Sequence, residues 1–383
     1  MSEKIDEIEE KLKDNPVFQM SLSSKELFHS NIISWLLEEK VGDGSPSENA
    51  KALSKLFAPK DTDLNDYKVL TVLREKHNFD LLVVFKKNDS DDFRFVVVEN
   101  KFKSVPEKAQ LEKYSEKISE NIDITEDISN YIDLKDKKQK IKINETNTTC
   151  YLFAPKSSLE AKKWKDEKWN EVSYEAFIDT IQPCGSDFEK EFIKKYKEFV
   201  RLMLNLGDTI KDYFSVPESK AFPEKNIIEK LKQIRIHDFY EKLWFSVLLS
   251  KLSESSKIIS NLELNVQYSN GTGGLDFKYH KNKIVYMIEI QGSQFRIMVG
   301  PEKGYKWEGK ENEYVPIIQG FLEKILGHKN DGNKELNKFN SYKYIYEKLD
   351  EGIKVSELRE KLDEKLELLI NEANKNVLQG VTQ

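Results

Sequence analysis

The hydrophobic residues in the first half of the chain recur at a helical spacing and then in short apolar runs. Residues 24–38 predict a helix, with Ser24 as its N-cap. The apolar side chains of this helix share one face: Leu27, Phe28, Ile32, Trp35 and Leu36. Three apolar runs then predict strands, over residues 67–75, 79–87 and 93–101. A helix over residues 107–120 and a strand over 149–154 complete the order helix, three strands, helix, strand.

The second half of the chain has a different pattern, and the change falls at two prolines. Helical segments are predicted from residue 174 to 214, after which Pro217 and Pro223 interrupt the chain. We therefore predict two domains, over residues 1–215 and 216–383. The second is predicted to be a mostly helical α+β domain that serves in recognition or oligomerisation. Its main predicted elements are a long helix and two strands, over residues 226–252, 275–279 and 284–291.

The composition fits a folded protein that does not enter a membrane. The chain has 383 residues, of which 38% are hydrophobic and 33% charged, which is enough for two domains with cores. No stretch approaches the roughly 18 consecutive apolar residues that a membrane helix needs. The acidic N-terminus lacks the apolar core of an export signal. Cys150 and Cys184 have no paired spacing, so we interpret them as reduced thiols and expect a cytoplasmic location.

The charge of the chain leaves its partner open. The formal net charge is −6, whereas proteins that bind nucleic acid usually carry a basic surface. A local basic patch can still hold phosphate groups. Two clusters of lysines are candidates: Lys135, Lys137, Lys138, Lys140 and Lys142, and Lys156, Lys162, Lys163, Lys165 and Lys168. The alternative for both clusters is a solvated lysine-rich surface.

Polar residues interrupt two of the predicted strands at particular points. Asp80 lies near the start of one strand and Glu99 near the end of the next, so an antiparallel hairpin would bring both carboxylates to one rim. Lys101 projects from the same strand face as Glu99, and its charge would relieve the repulsion between the carboxylates. Hard oxygen ligands of this kind suit Mg²⁺ or Mn²⁺. The alternative is an ordinary ion pair at a strand end, because short motifs often match by chance.

These residues and the order of the elements resemble the PD-(D/E)XK nucleases, whose shared core is αβββαβ. Asp80 matches the first acidic residue of the family, and Glu99-Asn100-Lys101 matches its (D/E)XK element. Phe79 stands where the proline of the family name would be, a departure that many active members share. Because all three of Asp80, Glu99 and Lys101 are present, the resemblance favours an active site over a decayed one.

Further segments resemble the standalone bacterial branch of this superfamily. Residues 110–114 are similar to the QxxxY element of RecB-like nucleases. Other segments with family-like sequences are residues 26–29, 33–37, 74–75, 151–155 and 169–174. The resemblance covers residues 1–205, and the fold that it implies is a restriction-endonuclease-like α/β core.

The resemblance also implies a role for each residue of the centre. Asp80 and Glu99 would hold Mg²⁺, for which Mn²⁺ could substitute, with help from the Asn100 carbonyl. Glu26 would reach the metal directly or through water. Lys101 would position the attacking water and stabilise the negative charge that develops.

Four more residues are candidates for contact with the substrate. Gln110 and Tyr114 lie four apart on one helix face and would orient the site or touch the nucleic-acid backbone. Lys103 shares the strand face of Lys101 and is a candidate phosphate contact, with a solvated lysine as the alternative. His29 follows Glu26 by three residues and is a candidate too, with a hydrogen-bonded structural histidine as the alternative.

The expected function is therefore a Mg²⁺-dependent nuclease that hydrolyses DNA, with a role in bacterial anti-phage defence implied by the resemblance alone. One alternative is a module that binds nucleic acid or protein on the same fold without cutting. Another is a nuclease that stays silent until a ligand or partner activates it. A second copy of the chain and a partner protein of a defence system are the other candidate partners.

A hairpin in the second half imitates the same spacing. Asp276 on one predicted strand is followed by Glu289-Ile-Gln291 on the next. A second metal site is one interpretation. We favour the other, in which the hairpin belongs to a sheet that recognises substrate or a partner. The preceding turn, residues 271–274, lacks the Lys-Ser/Thr of a phosphate loop, so nucleoside triphosphate binding is not expected.

Overall fold

The computed structural model describes residues 1–21, 25–104, 106, 108–132, 140–161, 166–216, 218–254, 256, 258–259, 262–269, 271–309, 311–327, 336–375 and 378. Several residues singled out in the sequence lie outside this set: Ser24, Lys135, Lys137, Lys138, Lys162, Lys163, Lys165 and Pro217. Within the set, no helix combines the length and apolar character needed to cross a membrane.

The chain divides into two compact units, Ser2–Asp208 and Thr209–Gln383. The division falls inside one long helix, Asp187–Phe214. The domain boundary predicted between residues 215 and 216 lies just beyond the end of this helix.

The first unit contains a five-stranded mixed sheet with helices around it. Its helices are α1 (Ser2–Asp14), α2 (Pro16–Met20), α3 (Glu26–Glu38), α4 (Glu48–Leu56), α5 (Lys108–Ser119), α6 (Thr125–Ile128), α7 (Lys156–Ala161), α8 (Tyr174–Thr180) and α9 (Asp187–Phe214). Its strands are β1 (Tyr67–Lys76), β2 (Phe79–Lys87), β3 (Phe93–Asn100), β4 (Ile122–Asp123), β5 (Lys142–Ile143), β6 (Thr148–Ala154) and β7 (Trp169–Ser173). A short 3₁₀ helix, Ser129–Tyr131, follows α6.

The strand order of this sheet is β1-β2-β3-β6-β7. The first three strands are antiparallel, whereas β3, β6 and β7 run parallel. A parallel neighbour requires a crossover connection, and the segment containing α5 supplies it between β3 and β6. The predicted αβββαβ order and the α/β fold class are therefore confirmed for the first unit.

The apolar runs explain why β2 and β3 form the centre of the sheet. Every side chain from Leu81 to Phe85 and from Phe95 to Val98 is fully buried. Strands covered on both faces carry continuous rather than alternating apolar residues. As a result, the polar residues at the ends of these two strands lie at the rim of a rigid, dry core.

The buried face of α3 matches the predicted one only in part, with Ile32 and Leu36 buried as predicted. Leu27 was predicted on the buried face but is 50% exposed. The buried positions include three polar residues, His29, Ser30 and Ser34, alongside Ile33. The apolar pattern misled here because polar side chains of α3 take part in contacts with buried polar groups.

The second unit is an α+β fold, as predicted, and its sheet has six antiparallel strands. Its helices are α10 (Lys225–Gln233), α11 (His237–Ser253), α12 (Glu311–Leu326) and α13 (Val355–Asn374). Its strands are β8 (Glu263–Ser269), β9 (Thr272–Lys281), β10 (Ile284–Gln291), β11 (Gln294–Pro301), β12 (Asn337–Phe339) and β13 (Tyr342–Lys348), in the order β12-β13-β11-β10-β9-β8.

Two predictions for the second unit need correction. The single helix predicted over residues 226–252 is wrong at its centre, because α10 and α11 are separate helices. Arg235 between them has a φ of 59°, a left-handed conformation that no helix interior contains. The sheet is also larger than predicted, since β11 and β13 had no sequence signal that we used. The leucines Leu358, Leu362, Leu366 and Leu369 form the buried face of α13.

Candidate active site

The β2–β3 hairpin brings Asp80 and Glu99 together, as the sequence predicts. Leu81 pairs with Val98 in the antiparallel register, so the next pair at the rim consists of Asp80 and Glu99. Directly opposite residues of antiparallel strands project from the same face. The Oδ2 atom of Asp80 accepts a hydrogen bond of 2.7 Å from the backbone N–H of Asn100, which fixes the carboxylate at the end of β3.

The Glu99 carboxylate is only half satisfied. Its side chain is 1% exposed, and its Oε1 atom accepts hydrogen bonds from Lys101 Nζ at 2.8 Å and Gln110 Nε2 at 2.7 Å. Its Oε2 atom is buried and has no hydrogen-bond partner among the residues that the structure describes. Since a buried carboxylate oxygen without a partner costs free energy, this atom fits a site that is completed by a cation.

The electrostatics of the pair agree with that interpretation. Burial raises the pKa of Asp80 to about 6 and that of Glu99 to about 7. The attraction of Lys101 opposes this rise, while repulsion between the two carboxylates and from Glu26 adds to it. Burial alone would lower the pKa of Lys101, but its proximity to Glu99 outweighs burial and raises it. The site therefore carries carboxylates whose charged forms need further neutralisation, which a divalent cation can supply.

Glu26 is held by the loop after β3. Its Oε1 atom accepts three hydrogen bonds, from the backbone N–H of Lys103 at 3.1 Å, the backbone N–H of Ser104 at 3.0 Å and Ser104 Oγ at 2.6 Å. No group of three His, Cys, Asp or Glu side chains in the described parts of the chain is gathered closely enough to hold a metal. The geometry thus gives Glu26 a role as an anchor of this loop, and any contact with a metal would be longer or through water.

Asn100 connects the end of β3 to two other elements. Its fully buried side chain donates from Nδ2 to the Glu26 carbonyl and to Ser30 Oγ, both at 3.0 Å. Its Oδ1 atom accepts a hydrogen bond of 2.6 Å from the Tyr174 hydroxyl. Neither Ser30 nor Tyr174 was predicted to take part in the site. The only signal for Tyr174 was its place in the family-like segment 169–174.

Gln110 and Tyr114 lie on one face of α5, as predicted. The Nε2 group of Gln110 donates both to Glu99 and to the Tyr114 hydroxyl, the latter at 2.9 Å. The Tyr114 ring packs edge-on against Phe79, with ring centroids 5.5 Å apart. Burial raises the pKa of Tyr114. Gln110 is therefore placed to orient Glu99, which is one of the two roles considered for it.

His29 lies in an aromatic core and not at an accessible surface. It is fully buried, and its Nδ1 atom is hydrogen-bonded to the Tyr196 hydroxyl at 2.9 Å. The Phe102 ring lies 4.0 Å away, centroid to centroid. Burial, with a smaller effect of the Lys103 charge, lowers the pKa of His29 to about 3, so the ring stays neutral. These contacts favour the structural alternative for His29. Lys103 is half-buried nearby and stays a candidate phosphate contact.

The C-terminal hairpin also places its two acidic residues opposite each other. Asp276 pairs with Glu289 in the β9–β10 register. Gln267 Nε2 donates to Asp276 at 2.8 Å and also to Glu289. Arg296 donates to Glu289 Oε2 at 2.6 Å. Burial raises the pKa of Asp276 to about 7, and the nearby charge of Lys278 opposes this rise.

These contacts show what the C-terminal acidic pair does within the described residues. Both oxygens of Glu289 are hydrogen-bonded, and Gln291 donates to the backbone and side-chain oxygens of Ser269 instead of facing the pair. Asp276 accepts a hydrogen bond at Oδ1 and has Lys278 Nζ 4.0 Å from Oδ2, so the arrangement is a polar network with its own cations rather than a set of ligands for a metal. The second-metal-site interpretation therefore has no support from the geometry.

Comparison with known proteins finds a family match within the first unit. Residues 15–201 match the model of the PD-(D/E)XK nuclease superfamily. This match spans just under half of the chain and includes every residue of the N-terminal candidate site. Searches of curated proteins and of solved structures returned no significant match.

Proposed function

Because residues 15–201 belong to the PD-(D/E)XK nuclease superfamily, we propose that the protein is a Mg²⁺-dependent nuclease that hydrolyses phosphodiester bonds of DNA. The observation that carries this proposal is the Asp80–Glu99 pair itself. Two carboxylates meet at one rim, both have a raised pKa, and one buried oxygen has no hydrogen-bond partner in the described part of the chain. Burial of such a pair is costly in an apo protein and becomes favourable when a cation binds.

The residues at the rim would hold the metal. Asp80 Oδ1 and Glu99 Oε2 are the carboxylate oxygens without a hydrogen bond to a described residue, and the Asn100 carbonyl is a third candidate. A bound Mg²⁺ would lower the pKa of a water molecule and polarise the phosphoryl oxygen. Mn²⁺, with similar ligand preferences, would substitute.

Lys101 and Gln110 both contact Oε1 of the Glu99 carboxylate and would have different roles. Lys101 Nζ lies 2.8 Å from Glu99 Oε1, so its ammonium group can hold the attacking water beside the carboxylate. The same charge would stabilise the negative charge that develops on the phosphate oxygens. Gln110 would keep Glu99 Oε1 occupied, so that the other oxygen points to the metal.

A cleavage assay tests the proposal directly. Supercoiled plasmid and linear single-stranded DNA are incubated with the full chain and Mg²⁺ or Mn²⁺. We expect metal-dependent cleavage by the wild type and none by Asp80→Ala or Lys101→Ala. Asp276→Asn is the matched control, because it changes a buried acidic residue outside this site and should leave cleavage intact.

Each other result has a defined meaning. Metal binding without cleavage would favour a nuclease that needs an activating ligand or partner. DNA binding without metal binding would favour a non-cleaving module and contradict the proposal. The resemblance to the standalone bacterial branch extends the proposal to anti-phage defence. In that case, cells that carry the wild type should resist infection and cells that carry Asp80→Ala should not.

A further inference from the structure

The side chain of Asn100 has every polar atom engaged in the core beneath the site. Its Nδ2 group donates to the Glu26 carbonyl and to Ser30 Oγ, while Oδ1 faces the Tyr174 hydroxyl. A backbone carbonyl can only accept, so the amide nitrogen must lie on the Glu26 side. It follows that the Tyr174 hydroxyl is the donor to Oδ1. The direction of each hydrogen bond is thus fixed by chemistry.

The backbone N–H and carbonyl of Asn100 both point to the Asp80 side of β3. Its N–H donates to Asp80 Oδ2 at 2.7 Å, and the N–H of the next residue, Lys101, donates to the Phe153 carbonyl at 2.8 Å on the opposite side of β3. The described chain has no cis peptide bond, so the Asn100 carbonyl points opposite to the Lys101 N–H. The carbonyl therefore points to the Asp80 side of the strand.

Tyr174 is itself rigidly placed. It is the first residue of α8 and is fully buried. Its ring stacks on Phe153 at 3.9 Å and contacts Phe102 edge-on at 4.4 Å, centroid to centroid. Phenylalanine would preserve these ring contacts. Packing therefore explains the ring of Tyr174 but not its hydroxyl.

We propose that Tyr174 is a positioning residue for the metal centre, acting through the Asn100 side chain. Its hydroxyl holds the Asn100 side chain in one orientation. The fixed side chain in turn keeps the backbone N–H and carbonyl of Asn100 directed toward Asp80. This inference rests on the proposed function, because it concerns the same metal. It adds a residue that touches neither metal nor substrate and that lies 74 positions away in the sequence.

The test measures metal affinity without turnover. Isothermal titration calorimetry with Mn²⁺, in the absence of DNA, compares the full-length wild type, Tyr174→Phe and Tyr196→Phe. Loss of a partner that orients a metal ligand typically weakens metal binding by about 10–100-fold. We expect a weakening of about 10-fold for Tyr174→Phe, at the low end of that range, because Asn100 keeps its two other hydrogen bonds.

Tyr196→Phe is the matched control for a merely structural role. Tyr196 is also buried in this aromatic core, and its hydroxyl bonds to His29 instead of Asn100. Its loss should lower the melting temperature by an amount similar to that of Tyr174→Phe but leave the Mn²⁺ affinity within about twofold of wild type. Equal loss of affinity in both variants would overturn the inference, as would a wild-type affinity in Tyr174→Phe.

A double-mutant cycle identifies the route of the effect. If Tyr174 acts through Asn100, then Tyr174→Phe should have no further effect on Mn²⁺ affinity in an Asn100→Ala background. An additive effect would contradict the route. A wild type that binds no Mn²⁺ would overturn the proposed function and this inference together, whereas unchanged affinity of Tyr174→Phe overturns the inference alone.

Discussion

The two units of this protein each place two acidic residues opposite each other on an antiparallel hairpin, yet the two pairs have different surroundings. Asp80 and Glu99 lie at the ends of their strands, and one oxygen of Glu99 is left without a described partner. Asp276 and Glu289 lie within their strands, where Gln267 bonds one oxygen of each and Arg296 bonds the second oxygen of Glu289. The same local geometry is therefore compatible with a metal centre in one unit and a polar network in the other.

The cation beside each pair accounts for much of this difference. Lys101 shares one oxygen of Glu99 with Gln110, and the other oxygen has no partner among the described residues. Arg296 instead takes the second oxygen of Glu289. Because the planar guanidinium group offers several donors in a fixed geometry, arginine closes a carboxylate more completely than lysine does. The spacing of acidic residues in the sequence is thus a poor indicator of a metal site. A better indicator is whether the carboxylate oxygens already accept hydrogen bonds from other side chains.

The largest expected effect concerns the lysine beside each acidic pair, Lys101 in the first unit and Lys278 in the second. Lys101→Ala should lower the rate of DNA cleavage by about 100–1000-fold, because it removes a charge that stabilises the transition state. The equivalent change beside the other pair, Lys278→Ala, should leave the rate within about twofold. Single-turnover cleavage with excess enzyme measures both. Equal rates for wild type and Lys101→Ala would contradict the role assigned to Lys101.

A second prediction concerns the stability of the two units. Glu289→Gln should lower the free energy of unfolding by about 2–3 kcal/mol, because it leaves the half-buried Arg296 without its countercharge. Glu99→Gln should leave the metal-free protein as stable as wild type or more so, because it removes a buried charge that is only half compensated. Urea denaturation with a chelator present provides the comparison. A larger loss for Glu99→Gln than for Glu289→Gln would show that the pairs have been assigned the wrong way round.

The third prediction follows from the raised pKa of each aspartate, about 6 for Asp80 and about 7 for Asp276. At a pH between the pKa of the aspartate in the unfolded chain and its pKa in the folded protein, the folded state retains a proton that the unfolded chain has released. Both aspartates therefore lower the stability of the metal-free protein as pH rises through this window. At about 1.4 kcal/mol per pKa unit, replacement by asparagine should recover about 3 kcal/mol for Asp80 and about 4 kcal/mol for Asp276 at pH 8 relative to pH 4.

The effect of Mn²⁺ on the melting temperature distinguishes the two aspartates. At pH 8, Mn²⁺ should raise the melting temperature of wild type and Asp276→Asn, but not that of Asp80→Asn, since only Asp80 would be a ligand. Protons compete with the metal for the carboxylates, so the stabilisation should fade as pH drops through about 7 to 6. Stabilisation of Asp80→Asn by Mn²⁺ as strong as that of wild type would place the metal elsewhere.

The sequence was informative wherever one local pattern determines the structure. The apolar runs predicted β2 and β3, and the alternation along a strand placed Asp80, Glu99 and Lys101 at one rim. The break between α10 and α11 was missed because a left-handed residue such as Arg235 has no hydrophobic signature. The sequence left a second metal site at Asp276 and Glu289 open as the less favoured interpretation, because spacing does not reveal which other side chains bind the carboxylate oxygens.

Contacts between distant elements were beyond such patterns. Ser30 and Tyr174 reach Asn100 from α3 and α8, which are 70 and 74 residues away in the chain. The Tyr174 contact depends on the order of the sheet, because α8 begins directly after β7 and β6 lies between β7 and β3. The exposure of Leu27 has a related cause, since the polar contacts of α3 set which of its faces is buried.

The smallest expected effect separates two roles for Gln110. Its amide lies 2.7 Å from Glu99 Oε1, so Gln110→Ala should free the carboxylate to rotate. If Gln110 only orients Glu99, we expect kcat to fall by about 10-fold while KM for DNA changes little, because the loss of one charge-assisted hydrogen bond is worth about 1.5 kcal/mol. Gln267→Ala is the counterpart in the second unit, where the amide bonds to both acidic residues and should affect stability alone. A rise in KM with unchanged kcat for Gln110→Ala would instead indicate contact with the nucleic-acid backbone, and the geometric argument for orientation would then be wrong.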